Sequence, residues 1–132
     1  MKLSTILIPT VLTLSSTSTA LGINCRGSGG CAGSGSIGGS GTRLSHIKNK
    51  IDGIDDNKHY NNGDHIACEE NKLGTGICAF FQSTGSGGSG ADAKRLVQKL
   101  INHGCTACGS VPTGKENTVK KGQLTVNYVS KP

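Results

Sequence analysis

Tryptophan is absent from this 132-residue chain, and only Phe80, Phe81, Tyr60 and Tyr128 are aromatic. So few large side chains bury little apolar area, which makes burial alone a weak offset to the entropy lost in ordering 21 glycines. No apolar run reaches the ~20 residues that a bilayer span requires, which argues against a helical anchor. Acidic residues are the minority, 8 against 14 Lys and Arg, for a formal charge of +6. Scarce aromatics and dispersed lysines leave neither the stacking platform nor the basic stripe of a nucleic-acid binder.

The amino terminus has the order of an export leader. Lys2 supplies the positive start, Leu3 to Leu14 an apolar run broken by Pro9, and Ser18-Thr19-Ala20 the small residues a signal peptidase needs. Residues 1–20 are therefore read as a signal peptide, the mature chain as starting at Leu21, and the protein as secreted. The remaining 112 residues suffice for one domain and not for two. Beyond the leader stand 13 basic and 8 acidic residues, a charge of +5 that suits an anionic surface or an acidic channel mouth and equally serves solubility.

All six cysteines lie beyond the leader, and an even count in a small exported chain reads as a disulfide framework, although six cysteines permit 15 pairings. The alternative is metal. Cys105-x-x-Cys108 with Cys25, Cys31, His65 or His103 could be assembled into a tetrahedral zinc site, but export favours oxidation and a second C-x-x-C is missing. The Asp52, Asp55, Asp56 and Asp64 loop lacks the alternating ligand spacing of a calcium loop and reads as solvated. No metal and no cofactor is expected. GxGxxG occurs at residues 33–38 and 85–90, where Gly/Ser composition alone generates it. A doubly wound sheet does not fit in this length, so both read as flexible connector. For acid–base chemistry the best pair is His65 with Glu69 or Glu70, as in a small secreted ribonuclease, but no motif fixes its geometry. No catalytic residue is assigned, and the protein is read as a non-enzyme.

The patterned segments are few. Residues 27–41 are almost wholly Gly and Ser and read as a loop pinned at Cys31. Leu44, Ile47 and Ile51 recur at helical spacing between a capping Thr42 and Gly53, and Asp55 to Asp64 reads as loop. Ala93, Leu96, Val97, Leu100 and Ile101 predict a second helix, with Asp92 at its positive end, Lys99 and His103 at its negative end and Gly104 as terminator. Strands are predicted at Ile77 to Ser83 and Gln123 to Val129, with a weaker one at Ile66 to Glu69. Together they give an α+β class, two helices on one face of an antiparallel sheet.

The segments LGINCRG (21–27), FFQST (80–84), LINHGCTACGS (100–110) and GQLTVNYV (122–129), in this order, resemble the fungal killer toxins of the smut-fungus killer protein four type. Residues 32–78 match thinly. The resemblance implies a killer-toxin-like domain over 21–132, a small disulfide-stapled α/β sandwich. It also implies growth inhibition of target cells by blocking calcium channels from outside, with no enzymatic step. The family pattern pairs Cys25 with Cys105 and Cys31 with Cys108, leaving Cys68 with Cys78. Fuller members carry more cysteines, and Ile66 and Ala67 stand before Cys68 where no basic residue precedes it. The expected partner is a membrane channel or anionic surface of a target cell, met by a monomer. An effector on the same scaffold without channel activity is the alternative. Lys72, in the short loop between Cys68 and Cys78, and Lys120 are the first candidate contacts. Lys115 and Lys121 come next, ahead of Lys94, Arg95 and Lys99 on the second helix.

Overall fold

The computed structural model describes residues 22–31 and 43–132. The expected leader, the glycine-rich motif at 33–38 and the helix cap at Thr42 lie outside the described residues. Helix α1 runs Arg43–Asp52 and α2 Gly90–His103. The strands are β1 His59–Tyr60, β2 Ala67–Glu70, β3 Gly76–Gln82, β4 Gly88–Ser89, β5 Gly109–Pro112 and β6 Gln123–Val129. A four-stranded antiparallel sheet has the order β2-β3-β6-β5, and β1 pairs with β4 in a separate two-stranded ribbon.

Strand alternation decides which side of the sheet is covered. Ile77, Ala79 and Phe81 of β3 are in register with Tyr128, Val126 and Leu124 of β6, and all but Tyr128 are fully buried beneath the helices. The intervening residues Cys78, Phe80 and Gln82 face the other side opposite Asn127, Thr125 and Gln123. Leu44, Ile47 and Ile51 of α1 and Ala93, Leu96, Val97 and Leu100 of α2 close the same core. The class is α+β, with both helices on one face.

The start of α2 is over-determined. Ser89 Oγ accepts from Asp92 N at 3.0 Å while Asp92 Oδ2 accepts from Ser89 N at 3.2 Å, a reciprocal capping box. Its end is set by Gly104, whose φ of 103° lies in the left-handed region and whose neighbour Cys105 N donates to Leu100 O.

Three bridges staple the sandwich: Cys25–Cys105, Cys31–Cys108 and Cys68–Cys78. The first two tie the amino-terminal segment to the turn after α2, and Asn24 pairs there with Ser110, so the segment shields the outer edge of β5. Cys68–Cys78 crosses between registered positions of β2 and β3.

Several expectations shift. Strand β3 ends one residue early because Ser83 adopts φ 58°, which leaves extended geometry. The loop expected over Asp55 to Asp64 contains β1, too short at two residues to show alternation. Strand β5 has no counterpart in the sequence pattern: four residues including Gly109 and Pro112 carry no strand signal, and Pro112 is tolerated because it ends the strand. The glycine motif at 85–90 is no flexible connector through its second half, since Gly88–Ser89 is a strand and Gly90 opens α2.

Candidate functional site

The candidate contact lysines occupy two separate places. Lys115, Lys120 and Lys121 share the β5–β6 connection, which Thr113 N closes by donating to Gly122 O at 3.0 Å. Thr118 Oγ1 accepts from Lys120 N and caps the 3-10 turn Val119–Lys121. Lys121 Nζ lies 2.9 Å from Glu116 Oε1, a pair so open to water that it holds neither residue strongly. Lys99 of α2 joins this end: with Lys115 it flanks a cleft of about 210 Å³ floored by Ile23, Val111 and Pro112. Neither lysine has a polar partner among the described residues.

Lys72 stands at the other end of the sheet, in the turn joining β2 to β3. The β3–β6 pairing runs from Gly76↔Val129 beside that turn to Gln82↔Gln123 beside Lys121. At ~3.4 Å per residue this separates the two places by roughly 20 Å. The structure therefore brings Lys115, Lys120 and Lys121 together and holds Lys72 apart. On α2, Lys94 pairs with Asp56 and Arg95 with Asp92, so neither is unengaged.

Neither hydrolytic pair is assembled: Glu70, in register with Gly76, is on the same side of the sheet as Phe80 but forms no ion pair with His65 among the described residues, and Glu69 is turned away. Glu69 is on the helix side of β2, where His46 Nδ1 approaches Oε1 at 3.3 Å and Lys50 Nζ at 3.9 Å. His65 stacks obliquely 6.2 Å from Phe80, which faces the opposite side of the sheet. The signal for the actual pairing was in α1: His46 and Lys50 are four apart and share one helix face, so a carboxylate facing that stripe engages both.

Metal chemistry is likewise constrained. His65, Cys68 and Cys78 bring ligand atoms within 4.8 Å of one another, but both sulfurs are consumed in a disulfide and are not thiolate donors. Cys25, Cys31, Cys105 and Cys108 are bridged too. The aspartates are engaged singly. Asp52 pairs with Lys48 and Asp56 with Lys94, while Asp55 and Asp64 accept from Asn57 N and Asn61 N.

The carboxyl of Asp92 has a displaced acidity. Partial burial raises its pKa, but the Ser89 backbone and hydroxyl hydrogen bonds and the nearby Arg95 guanidinium outweigh that and hold the carboxyl below its ordinary 3.8. It serves the helix start.

What the arrangement offers is a rigid, cationic, stapled scaffold with charged ends. The Kp4 family model matches residues 8–130. The chain is 42% identical over 116 residues to the KP4 killer toxin of Ustilago maydis P4 virus, covering 84% of this chain and 82% of that protein. The matched span takes in the stapled sandwich and both cationic ends, and the chain belongs to the Kp4 killer-toxin family.

Proposed function

We propose that this killer-toxin-like protein is secreted, and that it arrests growth of a susceptible cell by blocking a calcium channel from outside. The observation that carries the reading is the extended identity to a killer toxin, spread over a domain whose cysteines are all bridged. Bridges survive in an oxidising, extracellular setting, in keeping with the leader read in residues 1–20. Occlusion requires exposed cations on a rigid body, and Lys72, Lys115 and Lys120 are exposed without polar partners among the described residues. A positive charge draws the protein to an anionic mouth, with screening over ~8 Å at physiological ionic strength. The action is stoichiometric and monomeric.

The test is calcium uptake by sensitive cells exposed to purified protein, with and without added calcium. Uptake should fall within the time of binding and recover as calcium or salt is raised. A second reading, an effector or surface-binding protein without channel activity, draws on one observation: Lys72 is separated from Lys115, Lys120 and Lys121 by the length of the sheet, so these candidate lysines do not form one patch. Growth arrest with uptake unchanged selects that reading.

A further inference from the structure

Leu73 is the only large apolar side chain left exposed among the described residues, with 69% of its surface in water. It sits beside Lys72 at the tip of the β2–β3 hairpin, and this tip is firmly built. Asn71 Oδ1 accepts from Leu73 N at 2.8 Å and from Thr75 N at 3.3 Å, and Asn71 N donates to Thr75 O at 2.7 Å. Gly74, at φ 82°, takes the left-handed position that closes a three-residue hairpin loop. The Cys68–Cys78 bridge clamps the two strands just below. An exposed leucine is commonplace in isolation. Here it is presented on a fixed support, at a turn position that any polar residue would fill equally well, so the fold does not call for it.

We propose that the Lys72–Leu73 tip is a docking knob, with Leu73 entering an apolar pocket rimmed by acidic groups on a protein at the target-cell surface. The charge at the tip fits an acidic rim: Lys72, beside Leu73, is exposed with no polar partner among the described residues, while Glu69 of β2 is engaged by His46 and Lys50. A lipid bilayer is the poorer occupant, because even a whole myristoyl chain binds membranes only marginally and one leucine buries far less. A preordered tip loses little entropy on docking, which suits a protein pocket. The proposal rests on the reading that the protein acts at the surface of a target cell, and it assigns the hairpin end as the end that docks.

The experiment compares labelled wild-type protein, Leu73→Ser, Leu73→Met and Lys120→Ala for binding to intact sensitive cells, to protease-treated cells, and to vesicles of phosphatidylcholine and phosphatidylserine. Thermal unfolding of each variant reports the fold. Leu73→Ser should bind intact cells about tenfold more weakly with its melting unchanged, Leu73→Met should restore most of the binding, and protease treatment should abolish it. Wild-type binding by Leu73→Ser, or Leu73-dependent binding to vesicles, overturns the proposal. The two readings fail separately. Leu73-dependent cell binding with calcium uptake unchanged keeps the knob and removes the channel. Undiminished binding and calcium block by Leu73→Ser removes the knob and keeps the channel.

Discussion

Gly88 lies against the ring of Phe81: a β-carbon there would stand 2.4 Å from Phe81 Cζ. Strand β4 can pass over the core at that height only because the residue has no side chain, and Phe81 is the largest fully buried group beneath it. Gly88→Ala should destabilise the fold by about 1–3 kcal/mol through overpacking. Gly85, with nothing within 4 Å of its β-carbon position, is the control, and Gly85→Ala should be neutral or slightly stabilising. Denaturant unfolding of the two variants checks this; equal stabilities would contradict the packing described.

The capping box gives a second outcome. Ser89→Ala should cost about 0.5–2 kcal/mol by releasing Asp92 N at the start of α2. Asp92 adds a pH signature. Its carboxyl is held below 3.8 in the folded state, so its contribution is present above the unfolded value and is lost as pH falls through the folded one. Asp92→Asn should therefore flatten the acid limb of the stability curve below about pH 4 and leave the curve's shape at neutral pH unchanged. An identical acid limb in wild type and variant would contradict it.

The bridges should differ in worth according to what remains closed. Cys25–Cys105 and Cys31–Cys108 span 80 and 77 residues, against 10 for Cys68–Cys78. As single loops the long ones would each remove about 4.5 kcal/mol of chain entropy from the unfolded state and the short one about 2.7. The long loops overlap, however: with Cys25–Cys105 closed, Cys31 and Cys108 are joined by only about nine residues, six from 25 to 31 and three from 105 to 108, so the second bridge is worth about 2.6 kcal/mol. Replacing Cys31 and Cys108 together with Ala should thus cost about as much as losing the short bridge, and removing both long bridges should cost about 7 kcal/mol, more than twice either alone yet below the roughly 9 kcal/mol of two independent loops. Paired-alanine variants in denaturant, with mass mapping of the wild type showing no free thiol, check the pattern.

The division of cations predicts that their effects separate. Lys72→Ala should weaken cell binding and growth inhibition several-fold at low salt and less at high salt, whereas Lys115→Ala, Lys120→Ala and Lys121→Ala should have little effect if the hairpin end docks. Dose–response curves at two ionic strengths measure this. The reverse order would move the contact surface to the β5–β6 connection.

Both helices and the two central strands were legible because their signals are local. Leu44, Ile47 and Ile51 mark one helical face, Ala93 to Ile101 another, and β6 alternates along Leu124, Val126 and Tyr128. The bridge pairs coincide with those the family pattern implies, which counting alone could not choose. What was illegible depends on tertiary context. Strand β5 exists because β6 and Asn24 flank it, and β1 and β4 because Gly88 can approach Phe81. Glu69 turns toward His46 and not His65 because strand alternation puts it on the helix side; the i, i+4 spacing of His46 and Lys50 marks the stripe it meets, but the pairing of β2 with β3 that turns it there is tertiary. The candidate lysines are nearby or far apart only by virtue of the β3–β6 register, so their division was likewise hidden.

Calcium uptake by sensitive cells, followed after addition of the fully oxidised protein, tests the central claim most directly. The account predicts a prompt, dose-saturating fall in uptake that added calcium or salt relieves and that His65→Ala leaves intact. Growth arrest that accumulates at substoichiometric dose, ignores added calcium, leaves uptake unchanged and requires His65 would contradict it.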